Sequence, residues 1–298
     1  MPKLTKYPII CSPMNGVSDV NLAIACSLAG IMPSLVVVEN YITNGAFDLS
    51  KLEQDLDQYA VATSNGTMLI ACDAETLVNN APIVNLLARY NVSMVEILNF
   101  RSQNAREVHA LHLSLKEQGI TMAPKLLGGL DAVKRICNNV GMLDCVSIKG
   151  PMGAGRGIES ISLDQEIVKI KQSYPNMTVI ASGGINTSQD VKRMLDLGAD
   201  FVSLGTVFCA SQESSMSLAA KKKIIQSTSL DTQRLSSEAN QRALVFSAVE
   251  ENDSNNTTGL LEGVRTGVRG HIYMGTGIDH ITAIEPVQTI VDRLVKDL

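Results

Sequence analysis

At 298 residues, 45% of them hydrophobic and 18% charged, the chain has enough apolar material for one large core and too much to be disordered. A net charge of −5 lacks the basic excess of a nucleic-acid binder, and the run Lys221–Lys223 reads as a solvated helix face. The six cysteines form no C-x-x-C pair and fit buried free thiols in a reducing compartment. With no signal-like apolar segment after Met1 and no run long enough to cross a bilayer, a soluble cytoplasmic protein without membrane contacts is expected.

Taken in chain order, eight short, near-continuously apolar segments alternate with helical patterns. Strands are predicted at Pro8–Pro13, Ser34–Glu39, Thr67–Cys72, Met94–Leu98, Met122–Leu127, Cys145–Lys149, Thr178–Ser182 and Phe201–Leu204. Such runs suit strands buried on both faces. Helices are predicted at Val20–Ala29, Ala74–Tyr90, Ala105–Gln118, Leu130–Asn138, Leu163–Tyr174 and Ser188–Leu197. Asp19 is placed to cap the first of these, Thr187 or Ser188 the last, and Gly198 ends it. Eight βα units predict a single (β/α)8 TIM barrel over 1–298, with a doubly wound open sheet as the alternative.

Beyond the eighth strand the pattern changes. Residues 213–277 are expected to form an excursion over the barrel mouth. It is polar and helical from Glu213 to Arg242, a polar loop over Glu250–Thr258 and glycine-rich over Gly259–Gly277. An amphipathic helix over Glu285–Leu298 closes the chain, with Val287, Ile290, Val291, Leu294 and Val295 on one face.

Chemistry concentrates at two strand ends. Val179–Ile185 ends in Gly183 and Gly184, and Asp200–Thr206 ends in Gly205 and Thr206, with a helix between them. Glycine lets a backbone approach an anion, helix N-termini supply N–H donors, and in TIM barrels such a cradle follows strands seven and eight. A phosphorylated ligand is therefore expected at Gly183, Gly184, Ser203, Gly205 and Thr206, against the alternative of ordinary turn glycines. No spacing of His, Asp, Glu or Cys suggests a metal site. His109 and His112 read as a surface pair on an outer helix.

These residues resemble the nitronate monooxygenase family and its relative, the FMN-dependent enoyl-ACP reductase II. The resemblance is carried by Tyr7–Ser18, by Leu22–Gly30, by the Ala-Ser-Gly-Gly-Ile and Ser-Leu-Gly-Thr strands, by Val207–Ser214 and by Tyr273–Val287. It implies a barrel with FMN at the C-terminal ends of the strands. Pro13 and Met14 would line the flavin, against the alternative of an ordinary strand-terminating proline, and Lys125 and Lys149 would stand near it, with a structural ion pair as the other role open to each lysine. Cys11 and Cys72 end or line strands that would face the cofactor. The family has an Asn at the end of its third strand, where this chain has Ala71-Cys72-Asp73. Its Gln-Gly-x-Glu-Ala-Gly-Gly-His loop, whose His is the catalytic base, corresponds here to Lys149-Gly-Pro-Met-Gly-Ala-Gly-Arg156.

Arginine stays protonated and does not serve as a base, but it holds an anion such as a nitronate. Arg156, Lys149 and His271 are thus the candidate catalytic residues, with His280 a further candidate for the base. The implied function is an FMN-dependent oxidoreductase acting on a small anionic substrate. The alternatives are an NAD(P)H-dependent reductase of the enoyl-ACP type, and a barrel that binds a phosphorylated ligand without catalysis. The IMP dehydrogenase and GMP reductase group shares the barrel, but its strand-six loop carries a nucleophilic Cys that Gly150–Gly157 lacks. A small molecule is the expected partner, and a second copy of the chain is kept open.

Overall fold

The computed structural model describes residues 4–37, 41–43, 46–98, 105–157, 161–235, 241–246 and 257–298. In chain order the strands are β1 (Ile9–Cys11), β2 (Ser34–Val36), β3 (Ile42–Thr43), β4 (Ala46–Phe47), β5 (Met68–Asp73), β6 (Val92–Leu98), β7 (Thr121–Leu126), β8 (Cys145–Lys149), β9 (Thr178–Ser182), β10 (Phe201–Leu204), β11 (Thr232–Arg234), β12 (Arg242–Val245) and β13 (His271–Tyr273). The helices are α1 (Val20–Leu28), α2 (Leu49–Thr63), α3 (Ala74–Asn79), α4 (Pro82–Arg89), α5 (Ala105–Glu117), α6 (Gly129–Val140), α7 (Leu163–Ser173), α8 (Ser188–Asp196), α9 (Leu218–Ile225), α10 (Thr257–Thr266) and α11 (Val287–Leu294).

Eight strands form one parallel sheet in the order β1-β10-β9-β8-β7-β6-β5-β2. The ring closes just before β2, where Met32 N–H donates to Ile9 O and Cys11 N–H donates to Met32 O. The fold is a TIM barrel, as the alternating apolar runs predict. Strand alternation sorts the side chains into two bodies. Ile10, Met32, Val36, Leu69, Ala71, Met94, Ala123, Cys145, Ile180 and Phe201 fill the inside. Their outward neighbours pack under the helices in the larger outer core. Two residues further along the same inward rows, and four for Lys149, the interior becomes polar: Glu96 on β6, Lys125 on β7, Ser147 and Lys149 on β8, Ser182 on β9 and Ser203 on β10.

Several predicted elements are corrected. The helix expected over Ala74–Tyr90 is broken into α3 and α4 because Pro82 cannot continue a helix but suits a first turn. Helix α2 is not among the predicted elements, although Asp48 caps it and Leu52, Leu56 and Tyr59 bury one face. Of the strand expected over Ser34–Glu39, Ser34–Val36 is formed, and Val38 and Glu39 lie outside the described residues.

The excursion is only partly helical. It holds α9 and α10 but also a three-stranded antiparallel sheet, β11-β12-β13. The polar loop expected over Glu250–Thr258 falls on residues outside those described, except for Thr257 and Thr258, which begin α10. The glycine-rich stretch turns out to be helix and strand. Gly263 is needed there because α10 lies on β13, and a Cβ would come within 2.2 Å of His271 O.

Lys221 is buried rather than solvated, its ammonium donating to Gln212 O and Ser214 O. His112 is likewise buried, not a surface residue. The closing helix α11 buries Val287, Ile290, Val291 and Leu294, and its first N–H, at Val287, donates to the Glu213 carboxylate at 3.0 Å. All six cysteines are free. No described helix is long and apolar enough to cross a membrane.

Candidate active site

The C-terminal ends of the strands open into a cavity of about 740 Å³. Its first wall is backbone. After β9 the chain turns through Gly183 (φ +87°) and Gly184 (φ +83°), a conformation that L side chains rarely adopt. A Cβ on Gly184 would sit 2.7 Å from Met152 Cβ, and one on Gly183 would sit 2.8 Å from Gly150 O. The turn is thus pressed against the loop that follows β8. Beyond it Thr187 and Asp190 form a capping box at the start of α8, and Asp190 also accepts from Asn186 N–H. Burial alone would raise the Asp190 carboxyl; the hydrogen bonds from Thr187, Asn186 and Arg193 outweigh it and hold the group below the usual carboxylate range.

The neighbouring strand β10 ends at Gly205. Thr206 opens a short 3-10 turn, and its hydroxyl accepts from Gly275 N–H at 3.1 Å. Ser203 Oγ is buried and has no hydrogen-bond partner among the described residues. Pro13 and Met14, just past β1, complete this side.

The second wall is cationic. Lys125 donates to Glu96 at 3.0 Å, and Glu96 is only 1% exposed. Lys149 ends β8, half-buried, with its ammonium donating to Ala154 O. Burial is the main force on it, followed by the charge of Lys125, and together they push the Lys149 ammonium down to about 7. Arg156 is exposed on the rim. The loop over 150–157 is not loose: Gly155 and Arg242 exchange backbone hydrogen bonds at 3.0 Å, and the Arg234 guanidinium donates to Pro151 O at 3.0 Å. The small sheet of the excursion therefore holds the β8 loop over the cavity. Tyr273 and Gln241 line the roof and hydrogen-bond to one another at 3.1 Å.

The structure brings Pro13, Met14, Lys125, Lys149, Arg156, Gly183, Gly184, Ser203, Gly205 and Thr206 into this one cavity. His271 does not join them. Its neighbours Ile272 and Tyr273 line the cavity, whereas His271 is fully buried, its ring 5.3 Å from that of Tyr273 and its nitrogens without partners among the described residues. Burial lowers its pKa, and a base must reach the proton it takes. His280 is exposed at the end of a 3-10 turn and does not line the cavity.

Cys11 and Cys72 belong to the outer core rather than to the cavity. The Cys72 thiol donates to Val37 O at 2.9 Å, and burial raises its pKa. Asp73 caps α3. Glu96 was missed by sequence reasoning, yet a lone carboxylate inside the apolar run Val92–Leu98 is a visible signal. Asn186 was also missed; it packs so closely on Gly277 that a Cβ there would meet its Oδ1 at 2.0 Å.

The cavity thus joins glycine turns at the seventh and eighth strands of a parallel barrel to lysines at the fifth and sixth. The family described as nitronate monooxygenase matches residues 2–297. The chain belongs to the nitronate monooxygenase family. That family comprises FMN-dependent oxidoreductases. Among solved structures, FabK from Thermotoga maritima is 23% identical at a TM-score of 0.77, covering 98% of this chain and 92% of its own. Nitroalkane oxidase from Streptomyces ansochromogenes is 18% identical at a TM-score of 0.76, covering 99% of this chain and 96% of its own. The enoyl reductase domain of MlnA from the macrolactin cluster of Bacillus amyloliquefaciens is 13% identical at a TM-score of 0.70, covering 98% and 93%. At these identities the likeness concerns the fold. Comparison with curated proteins gives no match.

Proposed function

We propose that this member of the nitronate monooxygenase family binds FMN and oxidises a small anionic substrate such as a nitronate. The observation that carries this reading is one cavity with a backbone cradle at Gly183, Gly184, Gly205 and Thr206 on one side and Lys125, Lys149 and Arg156 on the other. The residues fit the cofactor. The cradle has the positive-φ glycines that a close phosphate needs, and Ser203 Oγ is a buried hydroxyl awaiting a partner. The volume lies within the range of small-molecule sites.

FMN would supply the redox chemistry there. The chain's own residues bind, orient and exclude. The turn after β9 and the Thr206 turn would hold the phosphate by backbone N–H groups. Pro13 and Met14 would pack on the ring edge. Lys125, and Lys149 when protonated, would hold negative charge in a partly dehydrated setting, where such charge is strongly stabilised. Arg156, on the exposed rim, would draw in and orient an anion through its planar guanidinium. Met152, Ile272 and Tyr273 would keep water from the floor.

The test is the visible spectrum of the purified protein, with mass identification of any released cofactor, followed by oxygen uptake with alkyl nitronates. Stoichiometric FMN and nitronate turnover without a nicotinamide support the proposal. Rapid bleaching of the bound flavin by NADH or NADPH, without nitronate turnover, transfers the assignment to a reductase. A colourless protein that refuses added FMN overturns it.

A further inference from the structure

Two lysines line the floor of the cavity, and one buried carboxylate lies beside the first of them. Lys125 and Lys149 project inward from the neighbouring strands β7 and β8, and Glu96 from β6. Glu96 is taken by Lys125 at 3.0 Å. Lys149 has no carboxylate partner among the described residues; it donates instead to the neutral carbonyl of Ala154. The glycine loop encloses it, since a Cβ on Gly153 would lie 3.0 Å from Lys149 Cε and one on Gly155 would lie 3.8 Å from Nζ. Among the described residues, the other charged groups that act on it, Arg156 from its own loop and Arg234 from β11, are both cationic. The Tyr273 hydroxyl on β13 is engaged with Gln241. Among the described residues, the charges that act on Lys149 other than Glu96 therefore disfavour a second ammonium, and Glu96 is already paired.

We infer that Lys149 is the acid–base group of this site: its neutral amine takes the proton from the acidic C–H of a neutral carbon acid such as a nitroalkane, and the Glu96–Lys125 pair is the positioning device that keeps it available. The inference rests on the function proposed above and widens the substrate class from the anion to its neutral conjugate acid. In the step, the C–H bond breaks and an N–H bond forms on Nζ. The electron pair passes into the nitro group, giving the nitronate beside an ammonium that later returns its proton to solvent. An amine that titrates near neutral pH suits this work, because both its states are populated there.

Competitive acetylation with limiting acetic anhydride, read peptide by peptide by mass spectrometry over a pH series, titrates Lys149 in the purified protein. The expected midpoint is near neutrality, far from that of surface lysines. Lys125→Met removes the repelling charge and frees Glu96 to pair with Lys149, so the midpoint moves up. The double variant Glu96→Gln/Lys125→Met leaves no buried orphan charge and moves the midpoint up by less; it serves if the single variant does not fold. A purely structural Lys149 titrates with the surface lysines, or stays unmoved in both variants, and either result overturns the inference.

In the holoenzyme, Lys149→Met is expected to lower the ratio of nitroethane to ethyl nitronate turnover by about 10²-fold, the usual contribution of a positioned base. An unchanged ratio overturns the acid–base role. A protein that takes up no FMN overturns the function and the substrate class together. An ordinary Lys149 titration in an FMN-bearing protein overturns only the inference about the lysine.

Discussion

The two walls of the cavity are built by different physics. The β9–β10 wall is built of backbone: Gly183 and Gly184 sit at positive φ, Gly205 ends β10, and hydroxyls stand nearby. Its properties follow from local conformation and change little with pH. The β7–β8 wall carries side-chain charge, where Lys125 pairs with Glu96 and both act on Lys149 across three strands. One wall is a shape and the other a set of charges around one titrating lysine, so a single cavity combines a fixed surface with an adjustable field.

The largest expected effect breaks the network. Glu96→Ala leaves the Lys125 ammonium without its buried partner, and such a loss costs about 3–5 kcal/mol. Urea unfolding measures it; a cost well below 1 kcal/mol would show that the floor is wet enough to need no pair. The next effect breaks the shape. Gly184→Ala puts a side chain at φ +83° and a Cβ 2.7 Å from Met152. The conformation alone costs about 1–2 kcal/mol, so FMN affinity is expected to fall at least about tenfold, read by quenching of flavin fluorescence. An unaffected affinity would move the phosphate elsewhere.

A pH experiment separates the walls. The Lys149 ammonium is depressed from an ordinary 10.5 to about 7 in the folded protein. Below 7 both folded and unfolded chains carry the proton, and the full cost of burying the charge is felt. Between 7 and 10.5 the unfolded chain binds more protons, so stability rises with pH, by at most about 1.4 kcal/mol per pH unit. Lys149→Met should remove this rise in apoprotein melts, whereas Gly184→Ala should keep it. A rise that persists without Lys149 belongs to another group.

The smallest effect touches the base of the anchor. Asp190→Ala deletes the capping box of α8 and the partner of Asn186 N–H, at a cost of about 1 kcal/mol. Because the Asp190 carboxyl is held below its usual range, its contribution is present at neutral pH and is lost as the pH falls through the carboxylate range. A melting temperature that does not depend on Asp190 at neutral pH but does in acid would reverse this sign.

The anchor was largely legible from sequence. Glycines after apolar runs mark both strand ends, and Thr187 and Asp190 are local partners. The barrel was legible for the same reason, since a strand buried on both faces must be apolar throughout. Helix α2 is equally open to view, through Asp48 and the helical spacing of Leu52, Leu56 and Tyr59, although its polar exposed face masks that period beside the stronger apolar runs. The network was less visible. Glu96 finds Lys125 across 29 residues, and no local pattern announces that pair. The β11-β12-β13 sheet is made of three- and four-residue strands whose apolar and polar residues carry little period. His271 lies one residue from a cavity-lining position, and only the folded structure shows that it is buried outside the cavity.

By itself the sequence determined the barrel, the glycine cradle and the cations at the ends of β7 and β8, because each depends on a residue's own conformational or solvation preference. The tertiary structure alone decided that the excursion's sheet clamps the β8 loop through Gly155 and Arg242, that His271 is withdrawn, and that Glu96 pairs with Lys125 and leaves Lys149 without a carboxylate among the described residues. These outcomes depend on distances between groups far apart in the chain, and the energy of a charge or a hydrogen bond depends on what surrounds it after folding.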